Sequence, residues 1–196
     1  AETLKEISDS LHNTSGFYDL VINGAGMAGF YAAIEASKRG LKVLILDKRT
    51  SPGFDIAGKR RLWLNTNGIR EWDDAMIDLF CPEGERNEIG ELALSGVARS
   101  CYKNELLLFA GSLKKGMLRS LLVNGIDVLL MTDIWGVVVD NQNQVCGVTI
   151  ASKHGLYFVS CGSFLDVSDG SLFTRGVLGL AYEIKEAGFV VELEGV

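Results

Sequence analysis

Two near-continuous apolar runs stand close to the start of the chain, Phe17 to Asn23 and Leu41 to Leu46. Neither alternates apolar with polar positions, so each reads as a strand buried on both faces, as in a parallel sheet. Between them Met27 to Arg39 reads as a helix. Ala28, Ala32, Ala33 and Ala36 give it a narrow face for the sheet, and Gly40 ends it as a left-handed cap. Strand, helix and strand in this succession form a crossover that joins parallel neighbours. From Lys48 to Asn67 the pattern weakens and Pro52, Gly53 and Gly58 mark turns, which predicts a long loop of the kind that often carries function.

Helical patterns follow from Ile69 to Leu79 and from about Glu85 to Cys101, separated by Cys81-Pro82 and Gly84. Leu106 to Phe109 is a short apolar run. Ser112 is the expected N-cap of a helix from Leu113 to Val123, which Asn124-Gly125 closes. Ile126 to Met131 is a third parallel strand. Ile134 to Val139, Val145 to Ile150 and Leu156 to Cys161 then form an antiparallel meander, turning at 140–143 and 152–155. Phe164 to Val167 adds one more strand, ending in SDGS. The expected fold is α/β: a Rossmann-like three-layer dinucleotide-binding domain with a parallel central sheet and an added three-stranded antiparallel meander. Residues 1–16 read as a leader, in which Leu4, Ile7 and Leu11 recur at helical spacing. Residues 17–171 read as the binding domain, and 172–196 as a tail that starts a further, substrate-binding domain.

A chain of 196 residues with 47% apolar content is long enough for one sizeable core. Its formal charge of -6 gives no sequence-wide attraction to nucleic acid. No apolar run approaches the roughly 20 residues of a membrane-spanning helix, and the polar N-terminus has no signal-peptide core, so a cytoplasmic location is expected. Cys81, Cys101, Cys146 and Cys161 form no C-x-x-C pair, and His12 and His154 are the only histidines. No metal site and mostly reduced thiols are expected.

The chemistry lies in Gly24-Ala25-Gly26-Met27-Ala28-Gly29, a G-x-G-x-x-G turn between the first strand and its helix. Gly24 turns the chain sharply, Gly26 lets a pyrophosphate approach the backbone, and Gly29 lets helix and strand sit close. The helix N-terminus adds N–H groups and partial positive charge. Asp47, at the end of the second strand, is placed to accept hydrogen bonds from a ribose. Lys48 and Arg49 after it either tolerate a 2'-phosphate or are solvated. Together these residues predict an adenine dinucleotide site.

A nicotinamide-binding domain would continue with alternating helices and strands, whereas here a meander intervenes. With YDLVINGAGMAGFYAAIEASKRGLKVLILDK, LKKGMLRSLLVNGIDVLLMTDIWGVVVDNQNQVCGVTI and FLDVSDGS, the chain resembles the flavoprotein oxidoreductases with the glutathione-reductase-like FAD fold, and most of all the FAD-dependent oxidoreductase group. The resemblance covers about residues 17–171. It implies FAD as the cofactor, with hydride transfer carried by the flavin, and a small-molecule substrate. It also implies that Asp47 holds the FAD ribose, that the backbone around Ile134 reads adenine, and that FLDVSDG, with Asp166 and Ser168, returns under the pyrophosphate. Gly53 would stand where the loop nears the flavin. Two departures are visible. Gly53-Phe54 replaces the family's Gly-Gly pair, and the returning strand ends Val167-Ser168-Asp169-Gly170 in place of Ala-Thr-Gly-Asp. The chain is also shorter than the family, so a second chain or a further domain is expected to complete the flavin site. Two alternatives stay open: a single-domain NAD-using enzyme of the same fold, as the thiazole-forming enzymes are, and a non-catalytic cofactor-binding subunit.

Among the remaining candidates, Lys59-Arg60-Arg61 beside Trp63 binds an anion or is a solvated loop. Cys146 and Cys161, expected opposite each other on neighbouring strands, are a redox pair or buried thiols. Trp63, Trp72 and Trp135 read as core or edge packing. His154, in a turn, has no carboxylate partner in view, and no catalytic side chain can be named.

Overall fold

The computed structural model describes residues 12–65, 97–99, 105–108 and 110–179. The leader positions Leu4, Ile7 and Leu11, the helix expected at 69–79, most of that expected at 85–101, Trp72, Cys81, Cys101 and the last residues of the tail lie outside the described residues. In chain order the elements are β1 (His12–Asn23), α1 (Met27–Lys38), β2 (Val43–Asp47), a π-helical turn (Phe54–Gly58), β3 (Trp63–Asn65), β4 (Val97–Arg99), β5 (Glu105–Leu108), α2 (Ala110–Val123), β6 (Asp127–Leu130), β7 (Thr132–Val139), β8 (Val145–Ser152), β9 (Gly155–Asp166), a short 3-10 turn (Asp169–Ser171) and α3 (Leu172–Leu178).

Six strands form one sheet in the order β6-β2-β1-β9-β8-β7. β6, β2, β1 and β9 are parallel, while β9, β8 and β7 are antiparallel. A separate three-stranded antiparallel sheet has the order β3-β5-β4. Successive residues of β1 and β2 point to opposite faces, and both faces are covered. Ile22, Val43 and Ile45 pack with Phe30, Ala33 and Ile34 of α1 and Leu113, Met117 and Leu121 of α2. Val21, Leu44 and Leu46 pack with Ile134, Val148, Ile150 and Val159 of the meander. The result is the expected α/β arrangement of a parallel sheet with an antiparallel meander, the helices packing on one face of the parallel strands and the meander, continuous with the sheet through β9, on the other.

Several boundaries differ from the sequence reading, each for a physical reason. The third meander strand and the strand expected at Phe164 to Val167 are one strand. The first half of β9 pairs with β8, from Gly147↔Ser160 to Ser152↔Gly155. Its length pairs with β1, from His12↔Tyr157 to Asn23↔Asp166. Gly162 and Ser163 interrupt the apolar run without ending the strand, because backbone pairing with β1 continues through Leu20↔Ser163. β1 likewise starts at His12, within the stretch read as leader, with a register irregularity between Asn13 and Phe17.

Ser112 is not an N-cap, because α2 already begins at Ala110, which packs against the helix-side core. Val97–Arg99 is a strand paired with β5 and not the end of a helix. On α1 the buried face is Gly29, Phe30, Ala33, Ile34 and Ala36, while Ala28 faces solvent. Gly40 and Gly125 do end their helices at positive φ, +80° and +69°. Trp135 is 71% exposed. Ile134 pairs with Ile150 and Gly136 with Thr149, so Trp135 is the extra residue of a β-bulge, turned outward on the edge strand.

Candidate functional site

The C-terminal ends of β1, β2 and β9 come together with the glycine turn between them, the place where open α/β sheets bind ligands. Gly24 adopts φ +109°, and a Cβ on it would stand 2.7 Å from the backbone of Ser168 and from the Val167 carbonyl oxygen. Its N–H donates to the Leu46 carbonyl at 2.8 Å. A Cβ on Gly29 would overlap the Gly24 carbonyl oxygen. Two of the three glycines are therefore required by how β1, α1 and the β9 exit pack.

Asp47 is 5% exposed. Its Oδ2 accepts the Ala25 N–H at 2.9 Å and its Oδ1 accepts the Arg49 N–H at 2.9 Å. The carboxylate thus pins the glycine turn to the end of β2 and at the same time borders a cleft of ≈ 240 Å³. Of the residues expected at a cofactor, Gly24, Asp47, Lys48, Arg49, Ile134 and Ser168 line this cleft. Ala25, Gly26, Met27, Ala28, Gly29, Gly53 and Asp166 are not among its lining. Four lining residues were missed by the sequence reading: Asn23, Asp133, Asp169 and Phe173. Phe173 falls in the stretch read as tail and meets Phe164 edge-on at 6.0 Å. Nothing in the local sequence marks it, since α3 has to fold back before the ring reaches the cleft.

Ile134 is buried, and its N–H donates to Asp133 Oδ1 at 3.0 Å. Asp133 therefore controls the backbone group that the resemblance assigns to adenine. Across the cleft, Asp169 accepts from Lys59 Nζ at 2.6 Å and from Arg49 at 3.4 Å. The Lys59 hydrogen bond, with the positive charges of Lys59, Arg49 and Lys48, outweighs partial burial and holds the Asp169 carboxyl below its ordinary range. The Arg49 guanidinium also lies over the Phe54 ring, 3.6 Å from its centroid. Lys59 is thus tied to the cleft edge, whereas Arg60 and Arg61 are exposed.

Asp166, expected under the pyrophosphate, serves the fold instead. Its Oδ1 accepts from Asn23 Nδ2, Ser168 N and Ser168 Oγ, and its Oδ2 accepts from Thr174 N and Oγ1. These bonds fix the turn that carries Ser168 and Asp169. Burial raises the Asp166 pKa, but the hydrogen bonds from Ser168 and Thr174 together outweigh it and lower the pKa from its ordinary 3.8. A depressed carboxyl stabilises the fold above the unfolded value, and that contribution is lost as pH falls through the folded value. Asp166→Asn is expected to cost about 2 kcal/mol at pH 7, with the difference from wild type shrinking below pH 3.8. Urea unfolding at the two pH values reads this, and a pH-independent difference would contradict it.

Gly53, at φ +75°, donates its N–H to Ala25 at 2.8 Å, and a Cβ there would press on Met117 Sδ at 2.7 Å. It starts the π-helical turn that carries Asp55. Asp55 Oδ2 accepts the N–H of Met27, the first residue of α1, at 2.9 Å, while Oδ1 is buried without a hydrogen-bond partner. A Cβ on Gly26 would lie 3.0 Å from this carboxylate. The expected pyrophosphate seat therefore faces a carboxylate of the chain itself. Sequence reasoning missed Asp55 because its reach depends on the conformation of the loop.

Away from the cleft, Cys146 and Cys161 follow Gly147↔Ser160 in register, and both are free thiols. Burial, then the neighbouring Cys146, pushes the Cys161 thiol up to about 11. A thiol held protonated in this way favours the buried-thiol reading over a redox pair. His154 sits exposed in the β8–β9 turn. Among the described residues no group of three or more His, Cys, Asp or Glu is placed to hold a metal, and no helix is long and apolar enough to cross a membrane.

Residues 19–183 match the family model for FAD dependent oxidoreductases. The chain belongs to this family. A digeranylgeranylglycerophospholipid reductase of Methanocella arvoryzae is 29% identical over 166 residues, which is 78% of this chain and 39% of that protein. An opine oxidase subunit from Agrobacterium tumefaciens is 48% identical over 54 residues, 28% of this chain and 10% of that protein. In structure, the OxyS anhydrotetracycline hydroxylase of Streptomyces rimosus superposes with a TM-score of 0.62 at 19% identity, covering 87% of this chain and 36% of the hydroxylase. That likeness establishes the shared fold. The chain spans less than half the length of each of these proteins.

Proposed function

We propose that this chain is the FAD-binding part of an oxidoreductase, holding the adenosine end of the cofactor in the cleft beside Asp47. The observation that carries this reading is the Gly24–Gly29 turn pinned by Asp47 at the mouth of a cleft in a chain of this family. The cleft suits part of the cofactor. Its ≈ 240 Å³ falls short of the roughly 300–1,000 Å³ of sites that enclose a drug-sized ligand, and an adenosine matches it better than a whole FAD. Asp47 would accept from the ribose, and Phe173 and Ile134 give apolar walls for a base. Ser168 and the glycine turn would border the phosphates. The flavin, when bound, supplies the hydride chemistry; this chain supplies position and electrostatics.

Within the family, the meander packed on the parallel sheet supports the glutathione-reductase-like type of FAD fold. The flavin end and the substrate, a small molecule, fall to a further domain or a second chain. The relative named as one subunit of an oxidase supports the second-chain version. The free thiols suit a cytoplasmic setting.

The test is the absorbance spectrum of the purified protein, followed by mass spectrometry of the ligand released on denaturation and by titration with ADP. FAD released, or ADP bound at the cleft, supports the reading. A protein that releases no adenine dinucleotide and binds neither ADP nor FAD on addition would refute it. Release of NAD without flavin would point to the single-domain NAD-using alternative.

A further inference from the structure

The family's cofactor and the structure disagree at one point, the N-terminus of α1. A diphosphate carried past Gly24 and Gly26 would meet the N–H groups of the first turn of α1, where partial positive charge favours an anion. In this chain an anion is already there. Asp55 Oδ2 takes the Met27 N–H at 2.9 Å, and the carboxylate lies 3.0 Å from the position a Gly26 Cβ would occupy. Its other oxygen is buried with no hydrogen-bond partner. A diphosphate, which offers only acceptors, could not donate to it.

Asp55 is not a loose side chain that swings aside freely. The turn that carries it is fastened before and after the aspartate. Gly53 N–H donates to Ala25, within the glycine turn itself. Phe54 lies under the Arg49 guanidinium, and Lys59 is bound to Asp169 at the cleft edge.

We infer that Asp55 is an intramolecular competitor for the diphosphate seat, so that a dinucleotide is held by its adenosine end until the Gly53–Lys59 turn moves the carboxylate off α1. The inference rests on the reading of the cleft as an adenosine site. It accounts for a glycine at position 26 without a phosphate: the missing side chain makes room for Asp55. It also gives Lys59 and Arg49 a place in the same device. Their bonds to Asp169 hold the turn closed, and opening it would release two cations beside the phosphates.

The test compares adenosine with ADP by calorimetric titration of the wild-type chain and of Asp55→Asn, which keeps the size of the side chain and removes its charge. In wild type, ADP is expected to bind no more than about threefold tighter than adenosine, because like charges set together forfeit what the phosphates would gain. In Asp55→Asn, ADP should gain at least about tenfold while adenosine stays unchanged. Asp169→Asn, which loosens the turn and leaves Asp55 in place, should move ADP affinity in the same direction by a smaller factor, and serves if Asp55→Asn fails to fold. Equal ADP affinity in wild type and variants, or weaker ADP binding when the Asp55 charge is removed, would overturn the inference while adenosine binding still upheld the cleft. If neither adenosine nor ADP bound to any of the proteins, the adenosine reading would fail, and this inference with it.

Discussion

Gly29→Ala is expected to destabilise the protein more than any other single methyl group placed in the described part of the chain. The added carbon would overlap the Gly24 carbonyl oxygen and also press on Val167 at 3.2 Å. A flexible side chain could rotate away, but the main obstacle is backbone, held by the Gly24 N–H bond to Leu46 and by the contact of Gly24 with Ser168. Either α1 lifts from β1 or the glycine turn deforms. Overpacking of this kind costs about 3 kcal/mol or more, a large part of the roughly 5–15 kcal/mol that holds a typical domain folded. The urea midpoint should fall accordingly. The contrast is Gly111→Ala in α2, where a Cβ meets nothing within 4 Å. There the better helix former should stabilise by up to about 1 kcal/mol. Equal midpoints for the two variants would show that α1 does not depend on its close approach.

The largest expected loss of affinity belongs to Asp47→Ala. Two hydrogen bonds from a ribose to a carboxylate are worth about 1.5–3 kcal/mol each, so ADP binding should weaken by roughly a hundredfold or more. Adenosine should lose as much as ADP, because the contact is with the sugar, and this separates Asp47 from groups that act on the phosphates. Stability should fall as well, since the N–H groups of Ala25 and Arg49 lose their acceptor. An affinity loss under threefold would mean that Asp47 only fastens the turn.

What the sequence disclosed follows from how local each requirement is. Gly24, Gly29 and Asp47 were legible because each answers to neighbours fixed by one βαβ unit, whose strand and helix pattern is itself periodic. The parallel core was legible for the same reason. Apolar continuity alone divides β9 into two strands, while hydrogen bonding to β1 carries the strand through Gly162 and Ser163. Ser112 has the right chemistry for a cap, yet the buried contact of Ala110 moves the helix start. Asp133 is a single polar residue beside a strand, and nothing in its spacing marks it. Asp55, Asp169 and Phe173 depend on how two loops and α3 fold back over the sheet, and no spacing encodes that. Asp166 stands out in the returning strand, and its oxygens turn towards Ser168 and Thr174, partners that only the folded turn brings together.

β9 has a consequence for how the molecule comes apart. One backbone pairs with β8 along its first half and with β1 along nearly its whole length, and it ends at Asp166, whose carboxylate sets the turn bordering the cleft. The meander is therefore no detachable module. Any opening that frees β8 strips the same strand that anchors the cleft wall, so the two layers form one cooperative unit, not separate foldons. The cleft at its edge inherits the opening free energy of the whole sheet.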